Sequence, residues 1–353
     1  MALDNKDSTQ GRKVTVRDIA QAADVSIGTV SRALKGQPGP SDDTRAHVLR
    51  VAREMRYDTN RLRNEKPKRI LFLYSRQIGS LATNQFYSGV LHGAETACRD
   101  AGASLTLLSV ASGEDVLAQV RRHEPDALVA IGFSDLGIAS ALRDGDLPLV
   151  LTDFSHPDIH CVNDDSLTGA WLATRHLLAS GARRPAMIHG PLSHHSVMLR
   201  AKGFRRALYE AGLLADPELE ALLDLSQDYE EAARIAMRQL LALPQRPDAV
   251  FAYNDETALT AMAVCAEAGV RVPEDIRFVG YDDVAAAARS APPLTTIRVD
   301  RVALGYAAVQ AVIDAAEPGE TVLPVELVVR GSSQAPASAD APPAKRRALA
   351  ARA

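Results

Sequence analysis

The run Thr15-Val-Arg-Asp-Ile-Ala-Gln-Ala-Ala-Asp-Val-Ser-Ile-Gly-Thr-Val-Ser-Arg-Ala-Leu34 constrains this chain more than any other stretch. Its spacing allows two short helices joined by a tight turn. Thr15 can cap the first helix, and Asp18 three residues on completes a capping box with a shortened acid. Val16, Ile19, Ala20 and Ala23 then share one face. The turn falls at Ala23-Asp24-Val25, where Asp tolerates positive φ better than most residues. Ser26 caps a second helix whose inward positions are Val30, Ala33 and Leu34. A third helix starts at Ser41, with Asp42 and Asp43 in its dipole-favoured first turn. Val48, Leu49, Ala52 and Met55 close a small core. The second helix carries Ser26, Thr29, Ser31 and Arg32, which can bond phosphates and base edges, the layout of a DNA-reading helix-turn-helix.

Helix pairs are common, so the spacing alone is matched by an ordinary surface hairpin; charge separates the two. Residues 1–69 carry net +6, residues 70–334 net −13 and residues 335–353 net +3, against −4 for the whole chain. A basic head on an acidic body fits a DNA-binding module fused to a soluble core. Residues 1–13 are mostly polar and form no apolar leader, and no run is long enough to span a membrane, so a cytoplasmic location is expected. Cys98, Cys161 and Cys265 lack metal or disulfide spacing and read as buried thiols.

Val25-Ser-Ile-Gly-Thr-Val-Ser-Arg-Ala-Leu34, with Pro40-Ser-Asp-Asp-Thr-Arg45 and Arg56-Tyr-Asp-Thr-Asn60, resembles the headpiece of the LacI–GalR family of transcriptional repressors. The resemblance runs to about residue 334. It implies an all-α helix-turn-helix headpiece followed by a bilobed, periplasmic-binding-protein-like core of two parallel-sheet α/β lobes. The expected organisation is a flexible tail over 1–13, a headpiece over 14–58, a linker over 59–67, an effector-binding and dimerisation domain over 68–334, and a disordered Ala/Pro-rich tail over 335–353.

The body supports the same architecture on its own pattern. Ile70–Tyr74, Leu105–Val110, Ala127–Ile131 and Leu149–Thr152 are short apolar runs separated by helical stretches such as Asn84–Gly102. Ala186–His189, Ala249–Tyr253 and Ile276–Gly280 repeat the scheme, with helices over Asp228–Leu243 and Glu256–Gly269. Near-continuous apolar strands between helices imply parallel sheets covered on both faces. In the picture that the resemblance supplies, the chain crosses between lobes near Cys161–Asp164, Thr295–Asp300 and Pro324–Glu326. Ligands of open α/β folds bind beyond the carboxyl ends of strands, which places a site in the cleft between lobes.

Polar residues gather at those strand ends: Asp153, Asn254, Asp255, Tyr281, Asp282 and Asp283, with Arg200 at a helix start. Carboxylates, an amide and a guanidinium suit vicinal hydroxyls, and Phe86, Tyr87 or Phe154 can stack on a sugar ring. A strand-end acid also serves as a helix cap, which is the competing reading of Asp255 and Asp283. The resemblance implies effector contact for Arg200, Asp282 and Asn254, and a ligand-proximal position for Phe86, Tyr87 and Phe154. The family's usual Asn-Pro-Phe is Asn84-Gln-Phe86 here. His194–His195 invites a metal reading, but adjacent loop residues without a third ligand at zinc spacing argue against it; neither metal nor cofactor is expected.

The expected partners are a near-palindromic duplex operator, a second copy of the chain and a small sugar-type effector. Arg32 would read a guanine edge. Ile27 and Gly28 lie at the exposed start of the reading helix, where Ile27 meets a thymine methyl. Thr15, Thr29, Ser31 and Asn60 would contact phosphates, which position rather than specify. Leu62 is the one residue available as a minor-groove wedge, in a linker shorter than the family's and interrupted by Pro67. The alternatives are a purine or phosphosugar effector, or a sugar-binding or α/β enzyme module. No phosphate-binding loop, nucleophile elbow or zinc motif supports an enzyme.

Overall fold

A computed structural model describes residues 14–34, 38–55, 57, 66–75, 84–111, 114–133, 135–145, 147–224, 226 and 228–334. The expected tails, and Asn60 and Leu62, lie outside the described residues.

Three helices form the headpiece: α1 (Val16–Ala22), α2 (Ile27–Leu34) and α3 (Asp42–Glu54). The capping box forms, with Asp18 accepting the Thr15 N–H at 2.8 Å and Thr15 Oγ1 accepting the Asp18 N–H at 3.3 Å. Asp24 takes φ 51°, the left-handed turn expected of it. Ser26 Oγ accepts the Thr29 N–H at 3.0 Å, and Ser41 Oγ caps α3 through the Thr44 N–H at 3.2 Å. Ile19, Val30, Val48 and Ala52 are fully buried at the centre, while Val16, Leu49 and Met55 are only partly covered at its edge.

The first lobe begins β1 (Arg69–Ser75), α4 (Gln85–Asp100), β2 (Ser104–Val110), α5 (Val116–His123), β3 (Ala127–Ile131), α6 (Leu136–Asp144), β4 (Leu149–Thr152) and β5 (His160–Asp164). The second contains α7 (Ser166–Ala179), β6 (Pro185–His189), α8 (His195–Glu210), β7 (Glu220–Leu222), α9 (Tyr229–Ala242), β8 (Ala249–Ala252), α10 (Asp255–Glu267), β9 (Arg277–Asp282), α11 (Ala285–Arg289) and β10 (Thr295–Val299). The chain then returns through α12 (Arg301–Ile313) and β11 (Gly319–Leu323) to the first lobe, and ends with β12 (Val325–Val328) in the second.

The two sheets run β11-β5-β4-β3-β1-β2 and β12-β10-β9-β8-β6-β7, parallel throughout except for β12 against β10. The lobes therefore join at Asp165, Asp300 and Pro324, within or next to the three stretches expected. Central strands are apolar on both faces: every residue of β3, β6 and β8 is buried. Helices α4 and α12 cover one face of the first sheet and touch backbone to backbone. A Cβ on Gly93 would collide with the Val302 carbonyl, and one on Gly305 with that of Val90. This crossing locks the returning helix onto the lobe that holds β1, where the headpiece linker enters.

Candidate functional site

Side chains from both lobes meet over the first crossover. Arg200, in the second turn of α8, is 5% exposed. Its Nη1 donates to the Tyr253 carbonyl at 2.6 Å and its Nε to Ser166 Oγ at 3.3 Å. The guanidinium carbon stacks 3.6 Å from the centre of the Tyr281 ring. Nη2 lies 3.8 Å from Asp164 Oδ1 and 3.8 Å from Asp282 Oδ1. Asp164 is further held by the hydroxyls of Tyr281 (2.7 Å) and Ser166 (2.8 Å), both donating to Oδ2.

Asp282 ends β9 at φ 112° and is 7% exposed. Its buried Oδ1 has no hydrogen-bond partner. Burial disfavours the charge on this carboxyl, and the Arg200 guanidinium beside it favours that charge. Burial opposes the guanidinium's charge too, but Asp282 and Asp164 together hold the pKa of Arg200 above its ordinary value. The arrangement is a charged, desolvated cluster with one acceptor left open, and an unmet buried acceptor of this kind is costly unless something donates to it.

Phe86 and Tyr87 bring the first lobe to the same region. Asn84 Oδ1 accepts the N–H groups of Phe86 (3.1 Å) and Tyr87 (3.3 Å), so α4 is capped without the family's Pro. The Phe86 and Tyr87 rings meet edge-on at 5.1 Å, and Tyr87 meets Tyr74 at 6.2 Å. Phe86 packs against the cores of both lobes. Burial, with the Asp153 and Asp282 carboxylates, keeps the Tyr87 hydroxyl well above its ordinary pKa.

Two expected residues sit differently. Phe154 is 6% exposed within the first-lobe core beside Phe133 and Ile159, its backbone clamped by the Asn163 amide at 3.2 and 2.8 Å. Asn254 is the helix cap: Oδ1 accepts the Thr257 N–H at 2.9 Å and Nδ2 donates to the Tyr229 hydroxyl at 2.8 Å. The cap reading given to Asp255 thus belongs to its neighbour. Asp255 is fully buried, accepting from the Thr296 hydroxyl (2.5 Å) and the Val284 N–H (2.8 Å), and burial raises it to about 7. Asp283 is bound to Arg330 (2.6 Å) and Arg298 (2.8 Å). Sequence reasoning gave Asp164 and Ser166 no role and noted Tyr281 only as a polar group at its strand end. The signal for Asp164 and Ser166 was the polar run Asn163-Asp-Asp-Ser166 at an expected crossover, where an apolar strand ends.

In the headpiece, Ile27 is 48% exposed and Gly28 and Arg32 are exposed beside it. Arg32 Nε donates to the Gly28 carbonyl at 3.2 Å, which lays the side chain along the outer face of α2. The Thr15 hydroxyl is committed to Asp18 (2.7 Å), and the Ser26 and Thr29 hydroxyls pair at 2.8 Å. Ser31 is half-buried on the same helix. Among the described residues, no helix is long and apolar enough to cross a membrane, and no group of three His, Cys, Asp or Glu side chains is placed to hold a metal ion.

A helix-turn-helix with an open reading face, joined to a two-lobed α/β core with a charged cluster at its junction, defines a DNA-binding regulator. Residues 15–60 match the signature described as bacterial regulatory proteins, lacI family, and residues 174–333 match a periplasmic binding protein-like domain. The chain is 32% identical over 311 residues to the ribose operon repressor of Escherichia coli strain K12, covering 85% of this chain and 92% of that protein. It is 29% identical over 313 residues to the HTH-type transcriptional repressor PurR of Aliivibrio salmonicida, covering 85% and 91% respectively. The lac repressor dimer solved with operator and the anti-inducer ONPF superposes with a TM-score of 0.68 at 28% identity, covering 92% of this chain and all of that one. The chain belongs to the LacI family of bacterial regulatory proteins.

Proposed function

We propose that this regulator is a cytoplasmic, homodimeric repressor of carbohydrate-utilisation genes whose operator binding is set by a sugar held between the lobes. The carrying observation is the buried Arg200–Asp282–Asp164 cluster. A hydroxyl supplies what Asp282 Oδ1 lacks, a neutral donor that brings no further charge into a desolvated site. Arg200, Asp282 and the Phe86–Tyr87 pair are the residues best placed to hold it. Asn254 contributes through its remaining amide hydrogen, and Phe154 shapes the first-lobe wall from behind. Effector binding biases the lobe arrangement, and with it the spacing of two headpieces on a near-palindromic operator. Ile27 and Arg32 read bases; Thr15, Ser26, Thr29 and Ser31 serve the phosphates with their remaining hydrogen-bond capacity.

The likeness to a ribose operon repressor and to a purine-named repressor frames the test. Operator fragments are selected from the chain's own upstream DNA, and binding is followed with D-ribose, other pentoses and hexoses, hypoxanthine or guanine. The expected result is a change in operator affinity with a sugar. A response confined to the purines replaces the sugar with a nucleobase. Turnover of any sugar would overturn the regulatory reading of the cleft.

A further inference from the structure

Arg301 opens α12 immediately after the second crossover, and its side chain spans the lobe junction. Nη1 donates to the Gln85 carbonyl in the first turn of α4, and Nη2 donates to the Asp283 carbonyl beyond β9, both at 3.3 Å. Gln85 precedes Phe86 and Tyr87; Asp283 follows Asp282. The two acceptors therefore lie beside the candidate effector groups contributed by opposite lobes. A planar guanidinium serves two divergent acceptors at once, which an ammonium does less well.

The surroundings are built for this reach. Gly89 leaves space for the arginine stem, since a Cβ there would stand 3.0 Å from Arg301 Cβ. The groove around it, about 460 Å³ and lined by Gln85, Ser88, Asp283, Arg298 and Val302, is open, so the two hydrogen bonds rather than core packing fix the side chain. On the far side the Asp283 loop is anchored by Arg330 and Arg298. The positive charge also opposes the upward push on Asp282.

We infer that Arg301 is a positioning residue: it ties the Asp282 loop to the Phe86–Tyr87 helix start and so sets the separation of effector groups across the cleft. The role rests on the effector reading given above, yet the tie itself can be examined without a ligand.

The test is hydrogen exchange by mass spectrometry on the full chain, comparing the parent with Arg301→Met and Arg301→Lys. Met keeps an unbranched apolar stem but is shorter and carries none of the guanidinium's donors. Exchange about tenfold faster is expected in peptides spanning 84–91 and 280–287 of the Met variant, with Lys intermediate and with β3, β8 and the melting temperature unchanged. Parent-like exchange in both segments, a change in only one, or general loosening of both lobes would each overturn the tie. Calorimetry with D-ribose supplies the second arm, with affinity about tenfold lower in the Met variant and partly recovered by Lys. A parent chain that ignores D-ribose counts against ribose as the sugar and leaves the tie untouched, and the exchange result still decides Arg301.

Discussion

The carboxylate of Asp153 in the first lobe accepts the backbone N–H of Ser196 in the second at 3.0 Å. The N-cap of α8, His194, makes no side-chain cap bond. A donor at that helix start is thus satisfied across the cleft. Asp153 reaches it from φ 56°, a sharp turn after β4. Nearby, His195 Nε2 faces Glu320 of the first lobe at 3.9 Å.

Removing this bond should favour lobe opening. A hydrogen bond to a charged group contributes about 1.5–3 kcal/mol. Asp153→Ala is therefore expected to raise the open population by roughly ten- to a hundredfold. Small-angle scattering of the full chain should show a larger radius of gyration. Asp153→Asn keeps an acceptor and should scatter close to the parent. Identical curves for Ala and parent would mean that the bond does not hold the lobes.

Arg200 answers two buried carboxylates at once, so its loss is expected to cost stability before function. Truncating one partner of a buried ion pair typically costs about 3–5 kcal/mol. Arg200→Ala should unfold the second lobe at markedly lower urea. Arg200→Lys keeps charge but loses the stacking on Tyr281 and the fork to Tyr253 and Ser166, and should fall between the two. Urea midpoints read by far-ultraviolet circular dichroism rank the three proteins. A midpoint for Ala equal to that of the parent would refute the structural role.

The fold was largely legible because local rules agreed. Thr15, Asp24, Ser26 and Ser41 each do at the backbone what their chemistry suggests, and the apolar runs became parallel strands, all central except β2 at a sheet edge. The edge strands β7, β11 and β12 were not foreseen, since their half-exposed residues carry no apolar run. At the site, Arg200 and Asp282 were visible as polar groups at element ends. Tyr281 was visible in the same way, but its meeting with Asp164 and Ser166 was not, because it depends on a contact 117 residues apart in the chain, Tyr281 to Asp164. The cap role offered to Asp255 falls to Asn254 because either can cap a helix, and only the backbone register decides which does.

Asp255 should leave a signature in the pH dependence of stability. Its native value of about 7 lies above the unfolded one. Between those values the native state holds the extra proton, so the contribution is fully present below about pH 4 and is lost as pH rises through 7. The loss is on the order of 2–4 kcal/mol. Asp255→Asn should flatten this part of the profile. Its amide oxygen can face the Val284 N–H while the Thr296 hydroxyl reverses to accept. Urea unfolding at pH 5 and pH 8 gives the comparison, and parallel parent and variant profiles would remove Asp255 as the source.

Gly93 and Gly305 set how closely α12 seats on α4. A methyl at Gly93 would overlap the Val302 carbonyl, a backbone atom that cannot swing aside. Overpacking costs about 1–3 kcal/mol where side chains can adjust, and Gly93→Ala is expected at or beyond the top of that range. Gly102, with nothing within 4 Å but φ 66°, provides a control limited to backbone strain. Gly102→Ala should cost about 1–2 kcal/mol, near the penalty for a single left-handed residue. Thermal denaturation of the two variants separates the causes, and equal losses would show that the helix crossing is less tight than its geometry implies.

On the proposed reading, the exposed face of α2 divides base recognition between one apolar and one cationic side chain. Ile27 stands exposed at the helix start, 48% accessible. Arg32, one turn on, bonds the Gly28 carbonyl through Nε, and among the described residues no hydrogen bond engages its terminal nitrogens. A bidentate arginine–guanine contact is worth about 1–3 kcal/mol of discrimination. Arg32→Ala should therefore lose about ten- to a hundredfold in affinity for the selected operator and lose preference at one base pair per half-site. Arg17 on α1 is exposed too, but it lies off this face. Arg17→Ala should weaken all sequences alike and reduce the slope of log affinity against log salt, the mark of a phosphate contact. Ile27→Ala should relax a different base pair from Arg32→Ala, with the salt slope unchanged. Selection of binding sites from a randomised operator pool, repeated for each variant at two salt concentrations, separates base reading from phosphate contact. If Arg32→Ala selected the same sequence as the parent, the base-reading role would pass from Arg32 to Ile27 alone.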